Sequence, residues 1–307
     1  MLQYLIIILD DTSTSFCHYK NPKTQCHLIP LNTLKQGIRF GMMENLMIQF
    51  VYPNYEIPQE YQDAIECIDH SKIMPQKEGA DVWVINKADN ISSDIPVVLH
   101  INKEYLFAHE CEISEILGKV SRLNIVLTDV NTFTKEDFVR YKSLLGKLSA
   151  SLEQLYVERK RPQLNILTDR IMLSQMNNCG SGVTNITLAP NGKFYVCPAF
   201  YYDNEYDSIG DLEQGLEIRN KQLYQLDHAA ICTHCDSFQC KRCIWLNRKT
   251  TLEVNTPSHE QCVLAHLERN ASRELLNNLR KHGIYFPEQE IIKEIDYLDP
   301  FDKKDEW

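Results

Sequence analysis

The sequence predicts an α/β protein: a first part built as a parallel sheet with covering helices, then a small cysteine-rich part and terminal helices. Three observations carry this reading. Apolar β-type runs alternate with helical patterns over the first ~170 residues, the signature of a parallel α/β layer. From Cys179 onward the pattern changes to short strands and turns, with seven of the eleven cysteines between positions 179 and 262. Beyond Cys262, Leu264, Leu267, Ala271, Leu275 and Leu279 repeat at helical spacing as far as Gly283, a natural helix stop.

Six runs qualify as strands: Tyr4 to Leu9, Met47 to Tyr52, Asp81 to Ile85, Pro96 to Ile101, Leu123 to Leu127 and Leu164 to Leu167. Ile6-Ile7-Ile8 and Ile125-Val126-Leu127 are apolar throughout, as parallel strands buried on both faces are. Leu31, Leu34, Ile38 and Met42 mark a crossover helix before the second strand, and Tyr61, Ala64, Ile65 and Ile68 another after it, within 58–69. Thr134 to Asp137 resembles a capping box opening a long helix with Phe138, Tyr141, Leu144, Leu145, Leu148, Leu152 and Leu155 on it. Between the third and fourth strands only 86–94 is available, too short for a crossover helix, so one strand is misread or the two are antiparallel. Later, Asn191-Gly192 predicts a hairpin turn between Thr184 to Leu188 and Lys193 to Val196. A last short helix is expected over 287–298.

A chain of 307 residues can bury a sizeable core. Its net charge of -10 argues against nucleic acid as the main partner, because binding to phosphates rests on clustered Lys and Arg. A basic peptide is easier to accommodate. The apolar opening Met1 to Leu9 lacks a basic lead and runs into Asp10-Asp11, so it fails as a secretion signal, and no run reaches membrane length. These features place the protein in the cytoplasm with no membrane partner. Thiols there are kept reduced, so eleven cysteines point to metal binding or catalysis rather than disulfides.

The spacing narrows the chemistry. Cys232-x2-Cys235-x4-Cys240-x2-Cys243 is preceded by Cys179 and the hairpin segment Gly192 to Cys197, and followed by Cys262. Thiolates in tight C-x-x-C steps hold zinc or an iron-sulfur cluster, and the residues alone leave both open. The order, with twelve residues between Cys179 and Gly192, resembles the SPASM domain of radical-SAM peptide maturases, although the four-cysteine block is one residue shorter at each of two steps. The resemblance implies a degenerate partial (β/α)6 barrel over 1–172, a SPASM-like iron-sulfur domain over 173–268 and a helical tail over 269–307. It further implies two [4Fe-4S] clusters, one on Cys232, Cys235, Cys240 and Cys262 and one on Cys179, Cys197 and Cys243. No cysteine lies in Leu173 to Asn178, so the second cluster would keep an open iron able to accept a substrate thiolate.

The first part lacks what radical catalysis requires. No C-x3-C-x2-C follows the first strand, where Asp10 to Tyr19 carries only Cys17 before Cys26, and Tyr52 to Glu56 stands where a Gly-Gly-Glu segment would be. Cleavage of S-adenosylmethionine is therefore unsupported. A barrel without this motif but with a SPASM domain is similar to the CXXX repeat peptide maturases, a likeness extended by Asp10 to Ser13, Phe16 to Tyr19 and His266 to Asn270. That resemblance implies a maturation protein that binds a Cys-rich precursor peptide and works with a separate radical-SAM maturase. The alternatives are an iron-sulfur enzyme that modifies peptide cysteines itself, and a zinc-stabilised peptide-binding module.

Outside the cysteine block, Cys17-His18 and Cys26-His27 sit in the loop after the first strand, where sites of such barrels gather, so a metal or reactive thiol there competes with a plain polar loop. Asp10 and Asp11 read as a cation site or as solvated capping residues. Cys67 and Cys111, among Ile65, Ile68, Ile113 and Ile116, read as core, and His234 as a surface turn residue.

Overall fold

The computed structural model describes residues 1–89 and 91–292. In chain order the elements are β1 (Tyr4–Ile8), α1 (Leu31–Met43), β2 (Met47–Val51), α2 (Gln59–Glu66), β3 (His70–Pro75), β4 (Val82–Ile85), β5 (Val97–Ile101), α3 (Lys103–Ala108), α4 (Glu110–Leu117), β6 (Arg122–Leu127), α5 (Lys135–Val157) and β7 (Gln163–Leu164). There follow α6 (Thr168–Met172), β8 (Asn185–Leu188), β9 (Phe194–Tyr195), α7 (Pro198–Asp203), β10 (Gly210–Asp211), β11 (Gly215–Leu216), α8 (Ile244–Thr251) and α9 (His259–His282). The described residues divide into two compact units, each made from two segments: residues 1–85 with 180–229, and 86–179 with 230–292.

The first unit is a largely parallel sheet. β1 lies between β2 and β8, β3 adds to β2 and β4 to β3, all parallel, while β9 returns antiparallel to β8. Leu5, Ile7 and Ile8 on β1 are fully buried with Phe50 and Leu188, as expected of a central strand covered on both faces. Each such side chain contributes about 1.5–3 kcal/mol relative to exposure. Helix α1 crosses close above it: a Cβ on Gly37 would collide with Leu188 Cδ2, so glycine at this position sets the helix-to-sheet spacing. The hairpin between β8 and β9 turns on Gly192 at φ 76°, a conformation that disfavours residues with a Cβ.

The second unit pairs β5, β6 and β7 in parallel and covers them with helices. Helix α5 starts with the predicted capping box: Thr134 Oγ1 accepts from Asp137 N, and Asp137 Oδ2 accepts from Thr134 N at 3.0 Å. Lys103 Nζ also reaches Asp137 Oδ2, at 2.6 Å. Helix α9 packs along α5, where the Tyr141 hydroxyl donates to Glu268 Oε1 at 2.7 Å, and Ser272 Oγ donates to the carbonyl of Leu167 ahead of α6.

Several expectations change. β3 was absent from the predicted strands, and Leu164 to Leu167 is strand only at its first residue before the chain turns into α6. Both strands flanking the short 86–94 link are present, one in each unit. Cys67 and Cys111 are exposed rather than core. On α4 the buried face is Ile113, Ile116 and Leu117, which leaves Cys111 outside it, and Cys67 caps α2 with its thiol donating to Asp63 O. His234 is exposed, as expected. Residues 287–292 are not helical, and the rest of the helix expected over 287–298 lies outside the described residues. Among the described residues, no helix is long and apolar enough to cross a membrane.

Candidate metal centre

Of the seven cysteines, Cys197 belongs to the first unit, where it precedes α7, and Cys179, Cys232, Cys235, Cys240, Cys243 and Cys262 belong to the second. The segment from Cys232 to Cys243 is built of turns. Cys235 N donates to Cys232 O at 3.1 Å, Cys240 N to Ser237 O at 2.9 Å, and Cys179 N to Lys241 O at 3.2 Å. Two backbone amides point at sulfur, Ser237 N to Cys235 Sγ at 3.5 Å and Arg242 N to Cys240 Sγ at 3.4 Å. Amide donors of this kind stabilise negative charge on a thiolate. Cys262 lies in the first turn of α9, and one turn later His266 places Nε2 3.4 Å from Cys235 Sγ.

Without metal the Cys232 and Cys240 thiols hold their protons. Burial pushes Cys232 up to about 11, with Arg242 opposing and Cys235 adding to the rise. Burial pushes Cys240 up to about 12, against the Arg242 amide and together with Cys232 and Cys235. The three sulfurs are therefore electrostatic neighbours in one dry loop.

Around that loop the fixed charge is positive. Asp236, between Cys235 and Cys240, accepts from Arg269 Nε at 2.9 and 3.0 Å and from Arg269 Nη2 at 2.8 Å, while Arg170 Nη2 adds a bond at 3.2 Å. Arg269 is fully buried, and Arg170 lies over the Phe238 ring. Burial opposes the charge of Asp236, but the two arginines outweigh it and hold its carboxyl below the usual carboxylate range. Arg242 is buried and donates from Nε to Asn178 Oδ1. Lys241, lowered by burial, has Asp169, Cys179 and Cys240 as electrostatic neighbours. Arg170, Arg269, Arg242 and Lys241 thus stand around this loop, where Asp236 serves two of them, Asp169 pairs with Arg122 at 2.8 Å, and burial pushes Glu268 up to about 7. Ser237 Oγ, Gln239 Oε1 and Trp245 Nε1 are buried without a hydrogen-bond partner.

This donor set fits an anionic metal-thiolate group. Four thiolates on iron or zinc would carry negative charge, which the cations standing around the loop are placed to neutralise. Among the described residues, no group of three or more His, Cys, Asp or Glu side chains is gathered tightly enough for a single ion.

The loop after β1 is tied down by polar contacts. Asp10 is fully buried and its Oδ1 accepts from Thr12 N and Oγ1, so it is neither a solvated residue nor a helix cap. Asp11 takes the Tyr201 hydroxyl and Lys23 Nζ, and Lys23 continues to Tyr201 at 2.8 Å and Glu205 at 2.6 Å, fastening the loop to α7. Cys26 and His27 are exposed, and His27 Nδ1 lies 3.7 Å from Asp11 Oδ2. Cys17 and His18 are half-buried, and Cys17 and Cys197 are both electrostatic neighbours of the buried Tyr19.

Sequence reasoning gave Arg170 no role, and it noted His266 and Arg269 only within the family likeness of His266 to Asn270, with no role for either. The readable signal for Arg269 is its place on the stripe Ala265, Arg269, Ser272, Leu276, all buried, where a lone arginine needs a buried carboxylate.

No known family profile and no curated protein matches the chain. Solved structures do. A structure described as hexahistidine-tagged anSMEcpe with bound AdoMet aligns at TM-score 0.53 and 12% identity over 91% of this chain and 96% of that one. Native anSMEcpe with bound AdoMet and Cp18Cys peptide aligns at 0.52 and 12% over 92% and 100%. Streptococcus suis SuiB bound to precursor peptide SuiA aligns at 0.45 and 11% over 70% and 63%. The chain therefore shares the α/β fold of the anSMEcpe structures over nearly its whole length.

Proposed function

We propose that this chain is a cluster-bearing maturation protein that binds a Cys-rich, CXXX-type precursor peptide and acts beside a separate radical-SAM enzyme. The observation that carries the reading is the cysteine loop of the second unit, where the Cys232 and Cys240 thiols, two amides directed at sulfur and the arginines that hold Asp236 come together. Cys232, Cys235, Cys240 and Cys262 would hold one [4Fe-4S] cluster, and the bound group supplies one-electron transfer. The chain's own residues prepare that place. Arg170 and Arg269 fix Asp236 and with it the turn between Cys235 and Cys240, and the amides of Ser237 and Arg242 receive the charge of two sulfurs. The assignment of Cys179, Cys197 and Cys243 to a second cluster is carried over from the SPASM resemblance alone.

The fold likeness supports the peptide part of the reading, because an anSMEcpe structure of the same fold is described as carrying AdoMet and the Cp18Cys peptide. The sequence supports the division of labour, because no C-x3-C-x2-C follows β1 and that loop is instead fastened by Asp11, Lys23 and Tyr201. Anaerobic purification with iron, sulfide and zinc counts, followed by incubation with AdoMet and reductant, tests both parts. Iron and sulfide without 5′-deoxyadenosine formation is the expected result. Zinc without sulfide, or AdoMet cleavage by the chain alone, overturns the proposal.

A further inference from the structure

We infer that His266 is a hydrogen-bond donor to the metal-bound sulfur of Cys235 and sets the reduction potential of the centre to which that sulfur belongs. The inference rests on the reading of Cys232, Cys235, Cys240 and Cys262 as cluster ligands, and it adds a residue that the cysteine pattern does not contain.

The geometry is local to the second unit. His266 lies four residues after Cys262 on α9, so the two side chains leave the same face of the helix one turn apart. The ring is buried, and its Nε2 stands 3.4 Å from Cys235 Sγ, within hydrogen-bond reach of sulfur. A metal-bound thiolate has lone pairs and no proton, so it only accepts. The nitrogen facing it must then carry the hydrogen, which fixes the Nε2–H tautomer. Ser237 N already approaches the same sulfur, so Cys235 has both a backbone and a side-chain donor candidate.

The consequence is electrostatic. Adding an electron to a cluster places more negative charge on its sulfurs, and an N–H aimed at one of them stabilises the reduced form more than the oxidised form. His266 therefore raises the midpoint potential of the Cys235 centre. A ligand role makes a different demand, because a nitrogen bound to metal carries no hydrogen toward it.

The test uses the full-length protein reconstituted anaerobically with iron and sulfide. His266→Leu removes the donor at similar volume, and His266→Gln keeps an N–H at comparable reach. With iron and sulfide content unchanged, the Leu variant is expected to titrate at a more negative potential by EPR-monitored reduction, and the Gln variant to recover much of the shift. An unchanged potential in a Leu variant with full cluster content overturns the inference and leaves the cluster reading standing. A second measurement covers the case in which the Leu variant fails to fold. In wild-type protein loaded with cadmium-113, NMR is expected to show an Nε2–H proton coupled to the metal through sulfur. A direct nitrogen-to-cadmium coupling would make His266 a ligand and also overturn the inference. If wild-type protein takes up no iron and sulfide, the functional proposal fails, and the cadmium spectrum still decides the role of His266.

Discussion

Replacing Asp236 by asparagine probes the charge cage most directly. The carboxylate accepts three bonds from Arg269, whose side chain has no exposure, and one from Arg170, which is 10% exposed. Asparagine keeps one oxygen but turns an NH2 toward donors, depriving two buried guanidinium groups of this counter-charge. Removing one partner of a buried pair costs about 3–5 kcal/mol. Asp236 is itself 26% exposed, so the lower end, about 3 kcal/mol, is expected. With a urea slope on the order of 3 kcal/mol per M, the unfolding midpoint of the reduced, metal-free protein falls by about 1 M. The internal control is Glu217→Gln, which breaks a pair with Arg219 whose side chains are 72% and 82% exposed. That change shifts stability by less than about 0.5 kcal/mol. If Asp236→Asn behaves like the control, the cage does not hold the cysteine turn, and the charge argument for an anionic centre fails with it.

Three further outcomes follow from the same structure. Because burial pushes Cys232 to about 11 and Cys240 to about 12, metal loading near neutral pH releases protons from both, detectable with a pH indicator, and the metal-free protein alkylates slowly at these two positions by peptide mass mapping. Asp137 experiences burial, which raises its pKa, but Lys103 and the Thr134 amide outweigh it and leave it lowered. Its stabilisation is therefore full above the unfolded carboxylate value and is lost as pH falls through the lower folded value, so Asp137→Asn flattens the acid limb of a stability-versus-pH curve. Gly192→Ala places a Cβ in ordinary contact with Thr33 but at φ 76°, so a loss of about 1 kcal/mol in thermal or urea unfolding is expected from backbone strain alone.

How much of this was legible in the sequence depended on whether the cause was local. The buried parallel strands announced themselves because β1 is apolar on both faces, and the hairpin because Asn191-Gly192 meets the demands of its turn. β3 was hidden: His70, Ser71 and Lys72 read as polar, Pro75 as a breaker, and only Ile73 is buried, so backbone pairing with β2 and β4 rather than side-chain pattern makes it a strand. At the candidate centre the cysteine spacing was readable, being a property of twelve consecutive residues. The arginines were not, since Arg170 and Arg269 reach Asp236 from separations of 66 and 33 positions. Asp10 and Asp11 misled for the same reason, because their partners depend on how the loop folds back and, for Asp11, on the distant Tyr201.

The interleaved construction of the two units has a consequence for how the protein is made. β1 is sandwiched between β2, which follows it closely in the chain, and β8, which begins only at Asn185. A ribosome adding about 5–20 residues per second leaves one side of β1 bare for roughly 7–27 s after β2 has emerged. During that interval the most apolar strand of the molecule presents a ladder of open amides and carbonyls, the template on which chains pair with the wrong neighbour. The nascent chain therefore calls for a chaperone that shields this edge until β8 has been made, and yield in a foreign host should respond to chaperone supply.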